Sequence, residues 1–184
     1  SIPFDAEGNY TVYLVAYDKA GNKSQSEPVT FVIDKTAPVL SISGMNDMQN
    51  TDVNATFTMN EAFGVVNGKS PEATVTITKK VDGSAATTVA TLNYGSFTSG
   101  NPHTAGYRFT EDGDYSITFS GKDASGNVAN TVTRNFKIDK VAPELTIKAT
   151  KNDTTEPVAN YGSVGNVQNP EKVKLTIGVK ETFY

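Results

Sequence analysis

Six aspartates stand at the ends of apolar stretches in this chain: Asp18, Asp34, Asp47, Asp52, Asp123 and Asp139. Carboxylate oxygen is the hard donor that calcium takes six to eight at a time, so acids gathered at loop ends raise metal binding first. EF-hand spacing does not occur, and the Asp-x-x-Gly-Asn runs holding Asp18 and Asp123 are accounted for as turns. Asp34 and Asp139 occupy matching places in two near-identical segments and are the candidates for a calcium ion at a junction. No other cofactor is expected.

Catalytic chemistry finds little purchase. The chain has no cysteine, which excludes disulfides, thiolate metal sites and thiol nucleophiles together. Its single histidine, His103, lies in SGNPHTAG, where Gly, Pro and Asn predict a solvated loop residue. No two carboxylates are assigned to one cleft, as glycoside hydrolysis requires. No catalytic residue is named, and the chain is expected not to be an enzyme. Tyr94, Phe97, Tyr107 and Phe109 fall within one region where a sugar ring could stack, but tryptophan is absent. These four are expected to be core and loop anchors.

The formal charge is −4 and the pI about 5.0, with scattered basic residues, so the electrostatic footprint of a nucleic-acid partner is missing. No run is long enough to cross a bilayer, and the first residues lack the basic-then-apolar layout of a signal peptide. Neither nucleic acid nor membrane is an expected partner.

The elements that position these residues follow from a repeat. IDKTAPVLSI at 33–42 returns as IDKVAPELTI at 138–147, and the match extends without a gap back to Phe4 and Phe109, at an offset of 105. A period this long means tandem domains rather than a solenoid of small units. Only 36–140 is a complete unit. Residues 1–35 read as the last strands of one domain and 141–184 as the first two strands of another. In that last piece VKETFY echoes MNEAFG, pairing Glu181 with Glu61 and Phe183 with Phe63 at an offset of 120, and the extra residues fall in the polar stretch 151–172. Alternation and turn signals place strands in the complete unit at roughly 39–43, 53–60, 73–80, 86–93, 105–110, 114–122 and 130–138. Seven short strands without helical period predict an all-β, immunoglobulin-like sandwich, with partial sandwiches on either side.

Several residues have a mechanism within that fold. Asp112-Gly113-Asp114-Tyr115 and Glu7-Gly8-Asn9-Tyr10 have the layout of a tyrosine corner, in which the phenol is pinned to backbone a few residues upstream. Gly21 and Gly126 supply the positive φ of the Asp-x-x-Gly-Asn turns. Pro38 and Pro143 fix their own φ and drive the preceding alanine toward extended conformations, so each junction is short and stiff. The outward face of the corner strand reads Ser, Thr, Ser, Lys in the complete unit but Thr11, Tyr13, Val15, Tyr17 in the earlier copy, which marks Tyr13 and Tyr17 as a candidate contact face.

The pattern Gly-x-Tyr with alternating apolar residues, then Asp-x-x-Gly-Asn, then a strand ending IDKTAP, resembles the bacterial Ig-like domains strung in tandem in large surface and secreted proteins, many of them Gram-positive. The resemblance covers essentially the whole chain. It implies an extracellular structural or adhesion module, a stalk or spacer, whose partners are neighbouring Ig-like domains. The alternative is a binding module for carbohydrate or protein, of the host or the cell wall, accessory to a secreted carbohydrate-active enzyme and using loops 61–71 and 93–105. Head-to-tail self-association through the partial domains is a further expectation.

Overall fold

The computed structural model of the protein describes residues 1–66, 68–81, 83–151 and 173–181, and its regular structure is strand throughout, apart from a single 3-10 turn at Tyr94–Ser96. The first four strands are β1 (Gly8–Val12), β2 (Val15–Tyr17), β3 (Lys23–Gln25) and β4 (Val29–Ile33), with β1 paired to β4 and β2 to β3. Then come β5 (Val39–Ser43), β6 (Met48–Gln49), β7 (Val53–Asn60), β8 (Glu72–Lys80), β9 (Thr87–Asn93), β10 (His103–Phe109), β11 (Gly113–Lys122) and β12 (Val132–Ile138). They form a three-stranded sheet, β10-β7-β5, facing a five-stranded sheet, β6-β12-β11-β8-β9. The last two, β13 (Glu144–Lys151) and β14 (Val173–Lys180), pair with each other. The fold is an all-β sandwich of immunoglobulin type.

Strand period dictates the core. Along β7 the odd residues Val53, Ala55, Phe57 and Met59 are buried and the even ones are not, and along β11 the same holds for Tyr115, Ile117 and Phe119. Phe57 meets Phe119 edge-on across the two sheets at 6.1 Å, and Phe97 stacks on Phe119 at 5.6 Å. The sandwich has one strand more than the sequence predicts. The two-residue β6 lies parallel to the end of β12, and it is too short to leave an alternation signal.

His103 requires a correction. It opens β10 and is only 5% exposed, with Nδ1 2.9 Å from the Thr98 carbonyl and Nε2 3.3 Å from the Tyr94 hydroxyl. A carbonyl can only accept, so Nδ1 carries a proton, and the ring ties the 94–104 loop to the sheet. Gly, Pro and Asn before it signalled a loop, but the strand begins at the histidine itself. Tyr107 packs edge-on against the buried Phe109 at 4.8 Å.

The repeat holds down to bond level. Tyr115 donates to the Glu111 carbonyl at 2.9 Å and Tyr10 to the Ala6 carbonyl at 2.8 Å. Phe109, Tyr115 and Phe136 form a ring cluster with centroids 4.9, 4.9 and 5.2 Å apart, and Phe4, Tyr10 and Phe31 form the same cluster at 5.0, 5.3 and 5.2 Å. Gly8 faces Ile33 in the β1–β4 ladder as Gly113 faces Ile138 in β11–β12. At the far end, Leu145 faces Val179 as Leu40 faces Met59. The residues 152–172, where the sequence places the extra loop, lie outside the described residues, as does Phe183.

Burial pushes the Tyr115 phenol up to about 12, with the Glu111 charge adding to the effect. The folded state therefore holds that proton more tightly, and the associated stability is present below the ordinary tyrosine value near 10 and lost as pH rises toward 12. Tyr115→Phe is expected to cost about 1–2 kcal/mol, since it leaves the Glu111 carbonyl without its partner, and to flatten the alkaline loss between pH 10 and 12. Tyr10→Phe, in the more exposed copy, should cost less. Denaturant titrations across that pH range measure both.

Candidate metal centre

The alternation of β7 runs one step past its last ladder residue. After Met59 the next inward position is Glu61, and it is 3% exposed. β11 behaves likewise: Gly121 is followed at the next inward position by Asp123, also 3% exposed. Both strands thus end at the same pole of the sandwich with a carboxylate turned in. The chain enters that pole from β4 through Asp34, which is half-buried. Asp34, Glu61 and Asp123 each bring one carboxylate oxygen to within 4.8 Å of the other two.

Each carboxylate is held by its own local chain. Asp123 Oδ1 accepts from the amides of Gly126 at 2.6 Å and Asn127 at 2.8 Å, and Oδ2 accepts from the Asn127 carboxamide at 2.7 Å. Gly126 closes the turn at φ +102°, where a side chain would strain the backbone, and Gly21 does so at +90° in the first copy. Glu61 Oε1 accepts from the Phe63 amide at 3.0 Å, while its own amide donates to the Asn101 side chain at 3.1 Å. Asp34 Oδ1 accepts from the Thr36 amide at 3.2 Å. Two buried oxygens, Glu61 Oε2 and Asp34 Oδ2, accept no hydrogen bond. The Ser125 hydroxyl stands close enough to favour ionised Asp34 without completing a bond to it.

No described cation pairs with any of the three. Two ionised carboxylates at that spacing repel by roughly 3 kcal/mol at an effective dielectric near 20. Loss of solvent, followed by the charges of the other two acids, raises the Glu61 carboxyl above the usual carboxylate range, and loss of solvent raises Asp34. The expectation that no acids share a cleft is therefore corrected. Glycosidase chemistry does not follow, because a sugar must lie between its two carboxyls and Glu61 and Asp123 are sealed from solvent.

The other sequence-predicted residues lie elsewhere. Asp139 is half-buried just after β12, where Oδ1 accepts from the Val141 amide at 3.1 Å, and it stands outside any such group among the described residues. Pro38 is buried and Pro143 is exposed. Tyr13 and Tyr17 are exposed, at 53% and 66%, and the strand breaks between β1 and β2 at Tyr13-Leu14. Asp18 makes the same turn as Asp123 but on the surface.

A long-range bond joins β11's turn to the stretch that follows β4. The Asn127 carboxamide donates to the Asp34 carbonyl at 3.1 Å, so the turn that holds Asp123 also holds the incoming chain. Residues 3–99 match the family model described as bacterial Ig-like domain (group 3), more than half of the chain. The chain belongs to that family. No curated protein matches it. The span matched by the Ig-like family contains Asp34 and Glu61 and ends before Asp123.

Within this Ig-like chain, Asn127→Ala removes the crossing bond and one support of Asp123, and is expected to lower stability by about 1–2 kcal/mol. Asn22→Ala, in the exposed copy of the turn, should cost distinctly less. Chemical denaturation of the two variants side by side tests the difference.

Proposed function

We propose that the chain is a non-catalytic spacer or adhesion stalk of a bacterial surface or secreted protein, built from tandem Ig-like sandwiches with limits at 1–35, 36–140 and 141–184. The observation that carries this reading is the recurrence of one atomic arrangement at an offset of 105. Corner, ring cluster, turn and ladder register all repeat. A single polypeptide leaves β4 at Ile33 and enters β5 at Val39 through five residues, one of them proline, leaving no slack between units.

Burial of equivalent positions supports the partial-domain assignment. Ile117 and Phe119 are fully buried, whereas their counterparts Val12 and Leu14 are 36% and 72% exposed. Ile147 and Ile177, aligned with the sandwich residues Ile42 and Phe57, are 69% and 72% exposed. Apolar inner faces of this kind suit cover by the rest of a sandwich. Extended cell-surface location and the tyrosine face around Tyr13 and Tyr17 belong to the same proposal.

Small-angle scattering distinguishes a spacer from a globular module. A second copy of 36–140 inserted in tandem is expected to lengthen the particle by roughly 30–40 Å, the reach of a sandwich with strands of 8 to 10 residues. A compact particle of unchanged maximum dimension would remove the spacer reading.

A further inference from the structure

Three carboxylates at one pole of a sandwich are not by themselves a site, since acidic surface clusters are common. Two features separate this one. Glu61 is almost wholly enclosed, yet Oε2 has no donor, and Asp34 Oδ2 is buried in the same condition. Buried acceptors in native proteins are satisfied as a rule, and an unsatisfied buried carboxylate oxygen is among the most costly exceptions. The Thr36, Phe63, Gly126 and Asn127 amides are committed to the other oxygens, and the Ser125 hydroxyl beside Asp34 and the Ala62 amide beside Glu61 complete no hydrogen bond to these two atoms.

Geometry narrows what can serve both. Calcium binds oxygen at 2.3–2.6 Å, so oxygens on opposite sides of the ion stand up to about 5.2 Å apart. The three ligand oxygens lie within that limit of one another. Magnesium, at 2.0–2.1 Å and with a strict octahedron that keeps its waters, fits a set of enclosed carboxylates less well. Soft metals are disfavoured by the all-oxygen donor set.

We infer that Asp34, Glu61 and Asp123 form a calcium site that fastens the end of one Ig-like unit to the pole of the next. Asp34 belongs to the stretch leaving β4, while Glu61 and Asp123 belong to the sandwich that follows. An ion shared among them joins the two units directly, alongside the Asn127 bond to the Asp34 carbonyl. The sequence sets out the same residue types again at the next junction, where Asp139 repeats Asp34 and Glu181 repeats Glu61. The site stands on its own geometry and does not need the spacer reading to be correct.

Calorimetric titration of chelator-treated chain with calcium chloride, and separately with magnesium chloride, tests the site. The expected result is one calcium per chain, with a Kd no weaker than the 10⁻⁴–10⁻³ M range of extracellular modules. Magnesium should bind at least tenfold more weakly. Glu61→Gln keeps the shape of the side chain and is expected to weaken calcium binding at least tenfold, while Asp18→Asn, in the turn copy outside the cluster, leaves it unchanged. Hydrogen exchange reads the fastening: amides of residues 34–39 should slow on adding calcium in the native chain and not in Glu61→Gln. Absence of binding at 10 mM calcium, equal binding by Glu61→Gln, or tighter magnesium binding would overturn the site. Binding without slowed exchange would overturn its role at the junction. Scattering on the duplicated chain reports separately on the spacer reading, so either can fail alone.

Discussion

Side chains along β7 and β11 alternate with a period of two, and that alternation does not stop where the ladders stop. This constraint organises the molecule. It fills the interior with Val53, Ala55, Phe57 and Met59 from one sheet and Tyr115, Ile117 and Phe119 from the other, and it carries Glu61 and Asp123 inward at the pole where the apolar filling ends. A sandwich needs its core closed at both poles. At one pole Tyr115, Phe109 and Phe136 close it with rings, and at the other it meets carboxylates and the incoming chain.

The two poles therefore have different chemistry. The ring pole is self-contained: its hydroxyl finds a carbonyl four residues away, and its lysine neighbours pair locally, with Lys140 reaching Asp52 and the Thr110 carbonyl. Lys35 makes the corresponding reach to Asp5 and its carbonyl in the first copy. The carboxylate pole is incomplete without residues that precede the sandwich, because Asp34 comes from the strand before. Among the described residues, the acid that joins Glu61 and Asp123 from outside the sandwich precedes it in the chain.

The sandwich was legible because its signals are local. Tyrosine corners, Asp-x-x-Gly-Asn turns and alternation are each contained in a few residues, and the repeat supplies a second reading of every one. The site was less legible because its members lie far apart in sequence and each has a sufficient local explanation. Asp123 is a turn residue, Asp34 a junction residue, and Glu61 the partner of Glu181 in an echo and the first residue of the loop 61–71. The available signal was parity: Glu61 stands two residues after Met59 on the buried register, a position where an acid needs a partner. His103 is hidden for the opposite reason. Its neighbours carry strong loop signals, and nothing local shows that the strand starts at the histidine.

The short strand β6 has a mechanical meaning. It runs parallel to β12, joined through the Lys137 amide to the Asp47 carbonyl and the Asp139 amide to the Gln49 carbonyl, each at 2.9 Å. The chain enters this sandwich by way of β5 and β6 and leaves it through β12. Two parallel strands drawn from opposite ends slide along each other instead of peeling apart, so both bonds bear the load together, in shear. The smallest element of the sandwich thus couples the stretch after β5 to the last strand through two bonds that share any load between them.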